Sequence, residues 1–327
     1  MMHDLPGGRR PPFVAASFLQ TGLTLVELMV SLALGMLVVA AAMLLLLSSK
    51  SSFTIEDDTS RLLDAGRFAI ENVSRSVRQA GHEVLGGDDV PIVSQPADTP
   101  NISGFDDSTL PATGGLPPSP VAALAGHNDI LQLRFFGNAD GSIVNCAGIT
   151  VPAVTPAGTS DNDRGWSIYF VRQVRNGEPE LHCGYRDQTT GSFASVALAG
   201  GVESFQVLYG IDLDNDGVPD RFVTASKLIE LDPQAAQPHA IDSLWKKVVA
   251  VKVALLLRGA RTQRADAQDV VYPLFGAAYD DPADLGSRFK EADPGLAANE
   301  RSRTRKVFST TIQLRNRAAG ANVVALP

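Results

Sequence analysis

The sequence predicts an α+β chain in which one long N-terminal helix packs on a C-terminal antiparallel β-sheet domain with long loops. Two observations carry that expectation. Residues 28–47 run without a charge and pass into an amphipathic helical pattern that reaches Gly81, and beyond residue 127 the hydrophobic period shortens to two. A chain of 327 residues with 44% hydrophobic content has room for a sizeable core after such a helix, which excludes a disordered protein. The net charge of −8 argues against broad nucleic-acid binding.

The charge-free run from Leu28 to Leu47 would span roughly 30 Å at 1.5 Å per residue, about the hydrocarbon thickness of a bilayer. Arg9 and Arg10 precede it, while Glu56, Asp57 and Asp58 follow. That asymmetry places the bulk of the chain on the periplasmic side of an inner membrane. Glu27 heads the run, within Gly22-Leu23-Thr24-Leu25-Val26-Glu27-Leu28-Met29-Val30. A secretory signal peptide sets its small-residue cleavage site after the apolar core; here Gly22 stands before it, so cleavage would leave the membrane helix on the mature chain. The plain alternative for Glu27 is an interfacial carboxylate favoured by the helix dipole.

After the span the helix continues. Leu62, Leu63, Gly66, Ala69, Ile70, Val73, Val77 and Ala80 recur at three-to-four spacing, with Arg61, Asp64, Arg67, Glu71, Arg75 and Arg78 on other faces. Arg67 with Glu71 and Glu71 with Arg75 form (i, i+4) pairs worth a few tenths of a kcal/mol each. Gly81 and then Gly86-Gly87 supply the stop. The helical segment is therefore set at 23–86, transmembrane over about 25–47 and amphipathic over about 53–81. Its first half needs lipid or other subunits, and its second half offers an apolar stripe to a sheet. Residues 87–126 are rich in Pro and Gly and read as a linker loop.

The remaining segment, 127–327, reads as a β-rich head. Asp129–Phe136, Trp166–Arg172, Glu180–Tyr185, Val202–Tyr209, Val248–Leu257 and Lys306–Leu314 carry the β-branched and aromatic residues of strands, separated by Gly, Pro, Asn or Asp clusters. The two cysteines, Cys146 and Cys183, lie in or beside predicted strands of a periplasmic domain, which favours a disulfide over two free thiols. Closing that loop would stabilise the fold by roughly 3–4 kcal/mol in the chain-entropy model.

Asp212-Leu213-Asp214-Asn215-Asp216-Gly217-Val218-Pro219-Asp220 fits the first nine places of a calcium loop, with oxygen ligands from Asp212, Asp214, Asp216, the Val218 carbonyl and Asp220. The twelfth place is Val223 rather than the bidentate Glu of an EF-hand. Two readings stand: a shortened Ca²⁺ site, and a hairpin turn in which Asp, Asn and Gly cap the backbone. The five histidines are scattered without nucleophile or metal spacing, and no catalytic constellation emerges. The basic run Arg301, Arg303, Arg305 and Lys306 reads as a solvated edge leading into the last strand.

Gly22 before the cut and Glu27 five residues after it, at the head of an uncut apolar helix, resemble the class III signal of type IV prepilins and type II secretion pseudopilins. Ala65-Gly66-Arg67-Phe68, Arg78-Gln79-Ala80-Gly81 and Phe308-Ser309-Thr310-Thr311-Ile312-Gln313-Leu314-Arg315-Asn316 are similar to the PilW branch of minor pilins. The resemblance implies the pilin fold, a leader over residues 1–22, cleavage of the Gly22–Leu23 bond by prepilin peptidase, and N-methylation of Leu23. It further implies that Glu27 sets axial register against the N-terminal amine of a neighbouring subunit. The implied protein is non-enzymatic. It would act with other minor pilins and the major pilin in a tip priming complex that initiates pili, alongside a tip adhesin. The alternatives are a minor pseudopilin of type II secretion and a membrane-anchored periplasmic ligand-binding or enzymatic domain.

Overall fold

The computed structural model describes residues 22–83, 97–111, 119–122, 127–154, 164–173, 177–187, 190–232, 243–262, 270–292 and 298–316. Arg9 and Arg10 of the expected leader, the Gly86-Gly87 stop and residues 88–96, 112–118 and 123–126 of the expected linker lie outside them. The chain divides into two compact units, residues 1–54 and 55–327.

Helix α1, Leu25–Gln79, runs through the boundary between them. In the first unit every described residue from Gly22 to Phe53 is exposed, including Leu28, Val30, Leu32, Leu37 and Leu44 through Leu47. The helix is long and apolar enough to cross a membrane.

In the second unit α1 becomes one-sided. Leu62, Gly66, Ala69, Val73 and Val77 are buried, one residue every three to four, while Arg61, Arg67, Glu71 and Arg75 stay exposed. Burying a Leu or Val side chain contributes about 1.5–3 kcal/mol, so this stripe outweighs any (i, i+4) pair on the opposite face. The helix ends because Gly81 takes φ +70°. Its N–H bonds the Arg134 carbonyl at 2.8 Å, and the Asn316 side chain donates to the Ala80 carbonyl at 3.1 Å, so the helix terminus is closed by its own head.

Strands β1 (Ile102–Phe105), β2 (Ser108–Thr109), β3 (Val121–Ala122), β4 (Ile130–Phe135), β5 (Gly165–Gln173), β6 (Pro179–Arg186), β7 (Phe193–Gly200), β8 (Val202–Ile211) and β9 (Arg221–Val223) are followed by helix α2 (Ala225–Leu231). Then come β10 (Val248–Thr262), β11 (Val271–Pro273), β12 (Arg288–Lys290), helix α3 (Ala298–Arg301) and β13 (Arg303–Gln313). Two antiparallel sheets result, one in the order β1-β4-β5-β6-β7 and one in the order β13-β10-β8-β9, with β2–β3 and β11–β12 as separate ladders. One core joins the buried stripe of α1 to the inner faces of both sheets, through Leu133, Tyr169, Val171, Phe205, Val253 and Leu255. The second half of α1 is thus packed on antiparallel sheets.

The six expected strands correspond to β4, β5, β6, β8, β10 and β13, but the head holds two main sheets rather than one. The linker reading of 87–126 also needs correction. Ile102–Phe105 pairs with β4 from Ile102↔Leu133 to Phe105↔Ile130, its burial alternating along the strand. Four residues are too few for the alternation to stand out among the surrounding prolines.

Candidate assembly site

The start of α1 is organised by a reciprocal cap. The Thr24 N–H and Thr24 hydroxyl both donate to Glu27 Oε2 at 3.1 Å, and the Glu27 N–H donates to Thr24 Oγ1 at 3.3 Å. With Thr24 before the first helical residue and Glu27 three residues on, this is a capping box, which satisfies amides that the helix itself leaves without acceptors. The signal Thr24-x-x-Glu27 was present in the sequence, and the reading of Glu27 as a lone carboxylate missed it. Gly22 and Leu23 lie in the exposed, non-helical segment just before the cap. Gly22, Leu23 and Glu27 therefore share one accessible helix entry, next to a wholly exposed apolar surface.

In the head, polar contacts converge on the middle of the amphipathic half. The Tyr169 hydroxyl, on β5, lies 2.6 Å from Asn72 Oδ1 and 2.7 Å from Ser76 Oγ. Burial pushes the Tyr169 phenol well above its ordinary range, so it remains a neutral hydroxyl. Asn72 Nδ2 donates to the Cys146 carbonyl at 3.3 Å, and Gln79 Nε2 to the Val144 carbonyl at 2.9 Å. Cys146 is bonded to Cys183 on β6, with a Cα–Cα separation of 5.8 Å. Gly66 fits beneath Phe308 of β13: a Cβ there would lie 2.3 Å from the ring. Nearer the unit boundary, the buried Asp58 carboxylate accepts the Ala260 N–H at 3.2 Å, beside the irregularity in β10 between Arg258 and Thr262.

The acidic stretch forms the turn between β8 and β9. Ligand oxygens of Asp212, Asp214 and Asp216 lie within 4.8 Å of one another. Asp212 accepts from the Asn215 and Gly217 N–H groups at 2.6 and 2.8 Å, and Asp214 from Asp216 N–H at 3.2 Å. Asp216 accepts from Val218 N–H at 2.7 Å, and Asp220 from Leu213 N–H at 2.7 Å. Asn215 (φ +64°) and Gly217 (φ +92°) supply the left-handed turns. The backbone-capping chemistry is present, and three carboxylates also converge as a hard cation would need; Asp220 lies outside that converging set.

Two further clusters escaped the sequence reading. The basic run is not a solvated edge, because the Arg305 side chain is fully buried, bonded to Glu203 at 2.6 Å and to Glu291 at 3.1 Å. Arg303 pairs with Glu178 at 2.7 Å and Glu300 at 3.0 Å, and Arg258 with Glu178, Glu203 and Glu300. Burial requires such compensation, which a linear sequence cannot display when the partners lie up to 125 residues apart. The second cluster is acidic. Asp106 caps α2 through the Ala225 and Ser226 N–H groups, and Asp129 accepts the Val207 N–H at 2.8 Å. Burial and the neighbouring Asp106 charge hold the Asp129 carboxyl well above the usual range. Burial likewise lifts Asp284 to about 6, with Asp106 and Asp281 adding to it against a hydrogen bond from Tyr279.

One long N-terminal apolar helix thus has its second half packed on antiparallel sheets. Residues 168–316, from within β5 to just beyond β13, match the family model of the type IV pilus-assembly protein W. A solved type IV-like pilin from Thermus thermophilus is similar over 79% of this chain and 98% of its own, at 16% identity and a TM-score of 0.36. No curated protein matches the chain significantly.

Proposed function

We propose that this chain is a minor pilin that primes type IV pilus assembly at the filament tip. The observation that supports it best is the match of residues 168–316 to the pilus-assembly family, in a chain that carries an exposed apolar helix from Leu25 onward. In this reading prepilin peptidase cuts the Gly22–Leu23 bond and Leu23 is N-methylated. The helix waits in the inner membrane with the head in the periplasm. During assembly Glu27 exchanges its bond with Thr24 for the amine of a neighbouring subunit, since a carboxylate inside an apolar filament core needs a compensating cation. The head selects other minor pilins and a tip adhesin and performs no catalysis. Calcium is the ion proposed for the acidic turn, where it would replace solvent around Asp214 and Asp216 and stiffen the β8–β9 connection.

The test is N-terminal peptide mass spectrometry of the membrane-expressed chain with and without prepilin peptidase. A methylated Leu23 terminus that depends on the peptidase and vanishes in Gly22→Ala supports the reading; an uncut chain beside a processed control prepilin overturns it. Glu27→Ala should be processed normally yet fail to enter pili. For the turn, titration calorimetry with CaCl2 should give heat that Asp214→Asn removes, and no heat in the unmodified chain leaves only the backbone-capping role.

A further inference from the structure

The loop around Cys146 is an unusual partner for a helix. Its Asn145 side chain is spent inside the loop, accepting the Ala147 and Ile149 N–H groups, and the bridge between Val144 and Thr150 closes it on itself. Its attachments to the sheet include the Cys146–Cys183 bond, a hydrogen bond from Cys146 N–H to Ser167 Oγ at 2.9 Å, and the packing of Val151 on Gly165. Yet this loop offers the two carbonyls, of Val144 and Cys146, that receive Gln79 and Asn72 from α1. Part of the grip on the last two turns of the helix, beside the direct bonds from Tyr169 to Asn72 and Ser76, is relayed through a covalent bond whose presence depends on oxidation.

We propose that the Cys146–Cys183 disulfide is a redox switch for docking of the helix end. When it is formed, the loop holds its carbonyls against Asn72 and Gln79, and residues 72–80 are fixed on the five-stranded sheet. When it is broken, the loop parts from β6 and those turns loosen, while the four-stranded sheet, which makes none of these contacts, persists. Formation oxidises two thiols. The bond joins the two sulfurs, and the two electrons and two protons pass to the disulfide of an oxidoreductase, which leaves as a dithiol. A dithiol such as dithiothreitol reverses the step, becoming a cyclic disulfide as Cys146 and Cys183 regain their protons. Both cysteines are buried, so reduction needs a prior opening of the loop, and the switch holds its state between encounters.

Hydrogen exchange read by mass spectrometry tests this on the full chain in detergent micelles. Three samples are compared: oxidised, dithiothreitol-treated with free thiols counted, and the Cys146→Ser/Cys183→Ser double variant. Amides of residues 72–80 should exchange roughly tenfold faster without the bond, while those of β8 and β10 keep their protection. Unchanged exchange at 72–80 overturns the switch, and so does a uniform acceleration that includes β8 and β10, since the bond is then a general staple. If the double variant does not accumulate, oxidised Gln79→Ala, which loses only the bond to the Val144 carbonyl, should reproduce the local acceleration; protection there equal to the unmodified chain counts against the relay.

Discussion

The two halves of α1 belong to one uninterrupted helix and meet opposite fates. Up to Thr54 the apolar residues point in every direction and none is buried; from Ile55 onward they narrow to a stripe that the head covers. Hydrophobicity alone does not fold a segment onto its own chain. The stripe from Leu62 to Val77 has matching surfaces in Tyr169, Val171 and Phe308, whereas the all-round surface from Leu28 to Leu47 can be satisfied only by lipid or by other subunits. One half carries information about this molecule's own fold, and the other about its surroundings.

Substitutions can break that contrast, and the largest effect should lie in the head. Arg305→Ala removes the cation between Glu203 and Glu291 and should lower head stability by about 3–5 kcal/mol, read as a shift of the urea midpoint. A paired glycine comparison comes next. Gly66→Val must displace Phe308 and should cost about 1–3 kcal/mol, while Gly35→Val, with nothing within 4 Å, should leave the melting temperature of the head where it was. An equal loss in both variants would erase the distinction between the halves.

A smaller effect concerns pH. The folded Asp284 carboxyl titrates at about 6, above its ordinary value. Its contribution to stability is therefore complete below about pH 4 and is lost as pH rises through about 6. Melting temperature should fall across that window, and Asp284→Asn should flatten the fall. The smallest effect is at the helix entry. Thr24→Ala removes the reciprocal cap and should weaken the first turn by about 1 kcal/mol, visible as faster amide exchange at residues 25–28 without any change in the head.

Much of the fold was legible because its signals are local. The uncharged run, the stripe ending at Gly81 and the β-branched segments each announce themselves within a dozen residues. Strand β7, Phe193-Ala194-Ser195-Val196-Ala197-Leu198-Ala199-Gly200, escaped because alanine and serine carry little β preference and its burial does not alternate cleanly. The cysteine pair could be matched because only two cysteines exist. No such economy helps with the ion network, where Arg258, Arg303 and Arg305 choose among many carboxylates and only the sheet registers decide. The acidic turn was legible as a cluster, yet the same oxygens serve backbone capping and cation binding, and sequence cannot weigh those uses.

The Asn316 side chain reaches the Ala80 carbonyl across 236 residues of sequence, and β13 pairs along nearly the whole of β10. A chain made N-terminus first therefore delivers its helix long before it delivers what closes that helix. Until β13 arrives, the stripe of α1 lacks Phe308 and the Ala80 carbonyl lacks the Asn316 donor, so the unfinished chain presents an uncovered apolar surface. Contacts this distant slow folding. The order in which the chain is made thus leaves an interval in which the helix exists without the strand that covers and closes it.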